Sequence, residues 1–410
     1  MIGMFKKHTV VIDEFRINEL LERSVENIFP NKEVLKKALM SGKKLSFYFG
    51  IDPTGPTIHM GHLIPILVAQ KLQNLGHHII LLMGDFTAMI GDPTDKSTTR
   101  KQLTRKEVLI NLSAYKKQLA RFIRLTGHNK AQIVFNSTWL GQMRFDDVVR
   151  LTSLMTVDQM LKRDMFDKRV QEGKPIFIHE FLYPLMQGYD SVALDVDGEI
   201  GGNDQTFNML TGRDLMKTIK KKEKFVIATK LLVDPSGKKM GKSEGNMIML
   251  SDSPSDMFGK VMSWSDAMII PGFTYCTSVP MKNIHAAQER LNQGNNPRDE
   301  KASLAEAFVE MNYGKEAAQK AQTSFFNSFS KKEMSEDALV VVCEEGDDLA
   351  TKLIEANIIP SKSELRRLIL AGSIFNVSQN EKVSLESFKI FKSGNLKIGK
   401  HRFVRIECAE

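Results

Sequence analysis

The stretch from Leu45 to Met83 constrains the fold more than any other part of the chain. Leu45-Ser-Phe-Tyr-Phe-Gly-Ile51 is short, aromatic and β-prone, and it runs into the turn Asp52-Pro-Thr-Gly-Pro56. Leu63, Ile66, Leu67, Leu72 and Leu75 then recur at helical spacing until Gly76 stops the run. Ile79–Met83 is continuously apolar, as in a strand buried on both faces of a parallel sheet. Strand, helix and strand within about forty residues form a βαβ unit. Ala131–Phe135 and Lys224–Ala228 are further strand candidates, with helical stretches between. The expected class is α/β, with a Rossmann-like, doubly wound parallel sheet whose ligand site lies at the carboxyl ends of its strands.

The flanking regions read differently. Residues 1–40 form a helical lead-in, with Ile17, Leu20, Leu21, Val25 and Ile28 on one face and Asn31 placed to cap a second helix. No strand pattern stands out from about 255 to 330, which predicts an all-helical region. Residues 331–350 carry two basic and seven acidic residues, whereas 351–410 carry eleven basic and six acidic. This contrast predicts a basic module on an acidic linker. The tail shows a short helix in Ser363–Gly372, with a Ser cap and a terminal Gly, and β-like runs at Ile374–Val377 and Phe403–Ile406. The expected divisions of the 410 residues are 1–252, 253–330, a linker 331–350 and a small α+β domain 351–410.

A formal net charge of +8 suits a polyanionic partner such as nucleic acid, and equally a soluble basic protein. The three cysteines, Cys276, Cys343 and Cys408, form no Cys-x-x-Cys pair, so no metal site is expected and a reducing cytoplasm is. No apolar segment approaches the roughly 20 residues of a membrane span, and residues 1–15 lack a signal-peptide run.

Three segments carry chemistry. His59-Met-Gly-His62 follows the first strand and turn where a helix begins. Unpaired N–H groups and the positive dipole end favour a phosphate there, and imidazoles can donate to its oxygens. A helix-capping or metal-binding His-x-x-His pair is the plainer reading. Lys239-Met-Gly-Lys-Ser243 lies in a glycine-flanked loop; its lysines suit a triphosphate, or simply water. In His179–Asp190, residues Tyr183, Gln187 and Asp190 stand four and three apart and share one helical face, as they would on an ordinary amphipathic helix.

Together these resemble the tyrosyl-tRNA synthetases. His59–His62 resembles the HIGH motif of class I aminoacyl-tRNA synthetases, with Met60 for Ile. Lys239–Ser243 resembles KMSKS, with Gly241 for the first Ser. His179–Asp190 resembles the family's tyrosine-pocket helix, Gly84–Lys96 its strand-loop segment, and Glu199–Gln205 its adenylate segment. Thr94, Asp95 and Thr206-Phe-Asn208 depart from the commonest pattern. The stretch Leu353–Asn376 resembles a small RNA-binding fold also found in a ribosomal protein.

The resemblance implies a catalytic Rossmann-like domain, a helical anticodon-binding domain and a C-terminal RNA-binding domain. It implies catalysis by His59, His62, Lys239 and Lys242. Tyr48 and Asp190 would meet the tyrosine hydroxyl, while Thr87, Asp92, Tyr183 and Gln187 would surround the amino end. Gly50, Asp52, His59, Gly61, His62, Gly202, Asp204, Gln205 and Lys242 would hold ATP and the adenylate. Arg366, Arg367, Lys397, Lys400 and Arg402 would contact RNA. Implied partners are L-tyrosine, ATP with Mg²⁺ as co-substrate, tRNA(Tyr) and a second copy of the chain, with Val157–Arg169 a plausible interface. A tryptophan-specific ligase, another nucleotidyltransferase bearing the HIGH motif and a non-catalytic RNA-binding relative are the competing readings.

Overall fold

Phe47, Tyr48 and Phe49 go to opposite sides of one strand, because side chains alternate along β structure. In the computed structural model this strand is β2 (Ser46–Ile51). The structure describes residues 10–92, 103–234, 247–330, 339–343, 348–356, 358–377, 381–385, 388, 394–399 and 402–408. Phe47 and Phe49 enter the main core with Leu63, Ile64 and Leu67 of the helix Met60–Asn74. Tyr48 faces the other layer, against Ile80, Leu82 and Val196.

The main sheet contains β1 (Val25–Phe29), β2, β3 (His78–Met83), β4 (Gln132–Phe135), β5 (Gly198–Gly202) and β6 (Phe225–Thr229). Its order is β1-β6-β5-β2-β3-β4. All pairs are parallel except β1 with β6. The chain winds from β2 towards β4 on one side and from β5 to β6 on the other. The reversal therefore falls between β2 and β5, where an open α/β sheet places its ligand crevice.

Two strands differ from expectation. Val25–Phe29 is β1 rather than part of a helical lead-in: Val25 and Ile28 continue a helical spacing, yet the segment pairs with β6 along the edge of the sheet. The segment Gly198–Gly202 is a buried strand, although three of its five residues are glycine. The cap on the second helix is as expected, with the Val34 N–H donating to Asn31 Oδ1 at 2.9 Å.

Five helices cover Pro254–Met262, Ile269–Cys276, Met281–Asn292, Pro297–Tyr313 and Lys315–Ser330. Their apolar faces share one continuous core with the main sheet. Buried Arg23 joins the two parts, donating to the carbonyls of Phe273, Thr274 and Thr277 at 2.9–3.1 Å.

The second sheet has the order β7-β11-β10-β8-β9, with β7 (Leu339–Cys343), β8 (Ile374–Asn376), β9 (Glu381–Lys382), β10 (Gly394–Ile398) and β11 (Arg402–Cys408). Strand β7 lies inside the segment read as a linker and pairs in parallel with β11. Val341 and Cys343 enter the small core with Leu353, Leu365 and Val404, so this module begins before residue 351. The helix Lys362–Leu370 is capped by Ser361, not Ser363. No helix among the described residues is long and apolar enough to cross a membrane.

His77 gives the main core a measurable pH dependence. Its ring is fully buried, and Nδ1 accepts the Leu45 N–H at 3.3 Å. Burial, with Lys44 adding to it, lowers its pKa to about 4. The unfolded ring takes up its proton near the ordinary value of about 6.5. As pH falls from there towards 4, the unfolded state binds the extra proton first and native stability drops, by about 3 kcal/mol in total. Urea titrations at pH 7 and pH 4 should show this loss, and His77→Gln should remove it.

Candidate active site

The carboxyl ends of β2, β3, β4 and β5 converge on a continuous set of polar side chains. Asp52, just past β2, accepts from Tyr183 Oη at 2.8 Å and from Thr87 Oγ1 at 2.7 Å. Asn136, just past β4, donates to Thr87 Oγ1 at 3.0 Å and to Asp190 Oδ2 at 3.3 Å. Trp139 Nε1 donates to Asp190 Oδ1 at 2.7 Å. One string thus runs Tyr183–Asp52–Thr87–Asn136–Asp190–Trp139.

Gly84 makes the Asp52–Thr87 contact possible, because a Cβ there would overlap both Asp52 Oδ1 and Thr87 Oγ1. Gly84→Ala should therefore destabilise the protein by about 2 kcal/mol, the scale of overpacking a filled site. A lower urea midpoint would report it.

A second string passes behind the first. Tyr48 Oη lies 2.9 Å from Ser191 Oγ, which accepts from Lys224 Nζ at 2.8 Å. Lys224 also pairs with Glu199 in a short, fully buried contact. Glu199 accepts from Gln187 Nε2 at 3.1 Å, and Gln187 Oε1 accepts from Asn208 Nδ2 at 2.9 Å. Asn208 reaches Gln205 Oε1 at 3.1 Å, and Gln205 Nε2 reaches Asp92 Oδ2 at 2.9 Å. Tyr183, Gln187 and Asp190 consequently face inward from the helix Ile178–Leu194, not outward to solvent.

Burial governs the electrostatics here. It pushes the Asp190 carboxyl well above the usual carboxylate range, against the opposing hydrogen bonds of Trp139 and Asn136. It raises the Tyr48 phenol too, helped by the nearby carboxylates of Glu199 and Asp190. It lowers the Lys224 ammonium, against the attraction of Glu199.

The histidines stand at the helix tip. His59 is the N-cap of Met60–Asn74, its Nδ1 accepting the Gly61 N–H at 3.1 Å, and its ring lies 3.9 Å from that of His62. Lys239 and Lys242 lie outside the described residues. Met249 pairs with His59 through a β-bridge, with Met60 N–H donating to Ile248 O at 2.9 Å. Gly50 and Gly202 belong to β2 and β5, and Asp204 to the turn after β5.

The expected RNA contacts do not form one cluster. Arg402 is level with Ile398 and donates to Ile358 O, on the helix-covered side of its sheet. Lys397 points to the opposite side, 5.6 Å above the Phe403 ring. Arg366 is exposed, Arg367 pairs with Glu364 at 2.7 Å, and Lys400 lies outside the described residues.

The family profile of the class I tRNA synthetases (W and Y) matches residues 40–330. The chain belongs to this family. It is 41% identical to a tyrosine–tRNA ligase 2 of Pseudoalteromonas translucida, over 95% of this chain and 98% of that one. It is also 41% identical to a tyrosine–tRNA ligase of Carboxydothermus hydrogenoformans, over 96% and 98%. A truncated mitochondrial tyrosyl-tRNA synthetase of Aspergillus nidulans shares the fold at TM-score 0.66 and 24% identity, covering 76% of this chain and 93% of that one.

Sequence reasoning missed Asn136, Trp139, Ser191, Glu199, Lys224 and Asn208 as members of this synthetase's polar strings. Ser191 had a usable signal, standing next to Asp190 on an inward-facing helix. Lys224 opens an apolar run, and only the pairing of β5 with β6 brings it behind Tyr48.

Proposed function

We propose that this chain is a tyrosine–tRNA ligase: it activates L-tyrosine with ATP and transfers the tyrosyl group to tRNA(Tyr). The observation that carries this reading is a buried acceptor beside a buried phenol. Asp190 holds two donors, Trp139 and Asn136, yet burial still disfavours its carboxylate. A substrate hydroxyl supplies a third donor there, and Tyr48 is the second partner of that hydroxyl. Phenylalanine leaves these groups unpaired, which buried polar atoms tolerate poorly.

At the other end of the slot, Asp92 and Gln187 receive the α-ammonium, with Tyr183 and Thr87 holding Asp52 beside them. Gly50, Asp52, Gly61, Gly202, Asp204 and Gln205 line the nucleotide side. The tyrosine carboxylate is already a nucleophile, so adenylation needs no general base. It attacks the α-phosphate, and pyrophosphate departs. Positioning and charge stabilisation then set the rate. His59 and His62 donate to the phosphate oxygens as charge grows, while Lys239 and Lys242 hold the pyrophosphate. No group of three His, Cys, Asp or Glu among the described residues is placed to hold a metal. Mg²⁺ enters as a complex with the triphosphate, sharing its charge. In the second step the terminal ribose hydroxyl of tRNA attacks the tyrosyl carbonyl and AMP leaves.

Arg366 and Lys397, on separate faces of the basic C-terminal module, contact the RNA backbone, and the enzyme works in the cytoplasm as a homodimer. Support for the dimer comes from exposed Val157 in the expected interface segment Val157–Arg169 and from exposed Phe145, Val149 and Ile178 flanking it in the sequence. Incubation with labelled tyrosine, ATP and tRNA(Tyr) should yield acid-precipitable tyrosyl-tRNA. RNA binding without any adenylate or charged product would support the non-catalytic alternative instead.

A further inference from the structure

Lys224 is a fully buried ammonium on the layer of the sheet that carries Tyr48, and adenylation as described above gives it no task. Its niche is built for it. A Cβ on Gly212 would lie 2.6 Å from Lys224 Nζ and 2.7 Å from Ser191 Oγ, so only glycine leaves the room. Its position is central: Nζ donates to Ser191 Oγ at 2.8 Å and to Glu199, and it lies 5.8 Å from the centre of the Tyr48 ring.

An ammonium can only donate hydrogen bonds, and a carboxylate can only accept them. These two restrictions propagate in opposite directions. Ser191 Oγ accepts from the Lys224 ammonium, which makes it a poorer second acceptor and a better donor, so the charge biases the serine proton towards Tyr48 Oη, 2.9 Å away, in a contact where either oxygen could donate. Tyr48 is then left to donate its own proton, to the slot or to the adjacent Glu199 carboxylate. On the other arm, Glu199 accepts from Lys224 and draws the NH₂ of Gln187 towards itself. Gln187 Oε1 therefore turns away, where Asn208 already donates to it at 2.9 Å, and one lone pair remains for another donor.

We infer that Lys224 is a positioning residue that fixes hydrogen-bond polarity at both ends of the amino-acid slot, as a donor at the phenol and an acceptor at the ammonium. This deepens the tyrosine reading and rests on it. With Tyr48 donating and Asp190 accepting, the slot demands a hydroxyl that does both. Without Lys224 that bias is gone, so Tyr48 can donate to Ser191 instead of to the substrate.

The test is pyrophosphate exchange with tyrosine and with phenylalanine, comparing the full-length protein with Ser191→Ala and Lys224→Met. Ser191→Ala keeps the buried ion pair intact, so it decides the matter if Lys224→Met fails to fold. Both variants should lower the tyrosine-to-phenylalanine ratio of kcat/KM by roughly tenfold to a hundredfold, the scale of one buried hydrogen bond. In Ser191→Ala the change should come through KM for tyrosine with phenylalanine unaltered, whereas Lys224→Met should also raise KM for both amino acids through the ammonium end. Parallel losses for both amino acids in Ser191→Ala would mean packing alone and overturn the inference, as would an unchanged ratio in that variant. If the unaltered protein exchanges with an amino acid other than tyrosine, the underlying reading fails rather than the relay.

Discussion

Replacing His62 by alanine is expected to slow tyrosyl-adenylate formation by roughly a hundredfold to a thousandfold, the usual effect of removing one preorganised donor from a developing anion. Rapid-quench measurement of adenylate formation would read the change in kcat. KM for tyrosine should stay nearly constant, because the proposed amino-acid slot lies among Tyr48, Gln187 and Asp190. His59 differs in kind. Its Nδ1 already caps the helix by accepting the Gly61 N–H, so His59→Ala should also cost about 1 kcal/mol of stability. A large rise in KM with little change in kcat would assign His62 to ground-state binding instead.

The second large effect concerns amino-acid choice. Asp190→Asn keeps the shape but replaces one acceptor oxygen with an NH₂. Both flanking groups, Trp139 Nε1 and Asn136 Nδ2, are donors, so either orientation of the amide sets donor against donor. The third acceptor position, proposed for the tyrosine hydroxyl, is weakened at the same time. Loss of a charge-assisted hydrogen bond of about 3 kcal/mol corresponds to roughly a hundredfold fall in kcat/KM for tyrosine. Phenylalanine, which makes no such bond, should be activated as before. Steady-state exchange with each amino acid gives both numbers. An equal fall for both would show that Asp190 supports the slot without reading the hydroxyl.

Much of this arrangement is legible in the chain, and the rest is hidden for physical reasons. The alternation in Phe47-Tyr48-Phe49, the helical spacing that follows and the apolar run at Ile79–Met83 are local signals, and the βαβ unit follows from them. Tyr183, Gln187 and Asp190 share a face by spacing alone, although spacing does not say whether that face is wet or buried. Strand β5 is poorly visible because glycine lacks β propensity; Gly198 is favoured there because a Cβ at 2.5 Å from the Phe47 ring would not fit. Strand β7 follows Glu336-Asp337 and precedes Glu344-Glu345, so charge obscures the apolar run Leu339–Cys343. Of the remaining partners, Asn136 and Trp139 come from one segment and Lys224 from another. Their meeting depends on strand order, which no local pattern encodes.

One slot, floored by Asp190 and Tyr48 and open to a nucleotide at His59 and His62, is proposed to accept tyrosine and join it to AMP. Exchange of labelled pyrophosphate into ATP, run with each of the twenty amino acids in turn, tests it most directly. Rapid exchange with tyrosine, and at most trace exchange with phenylalanine or tryptophan, is the predicted result. Exchange driven by tryptophan, or by no amino acid at all, would contradict it.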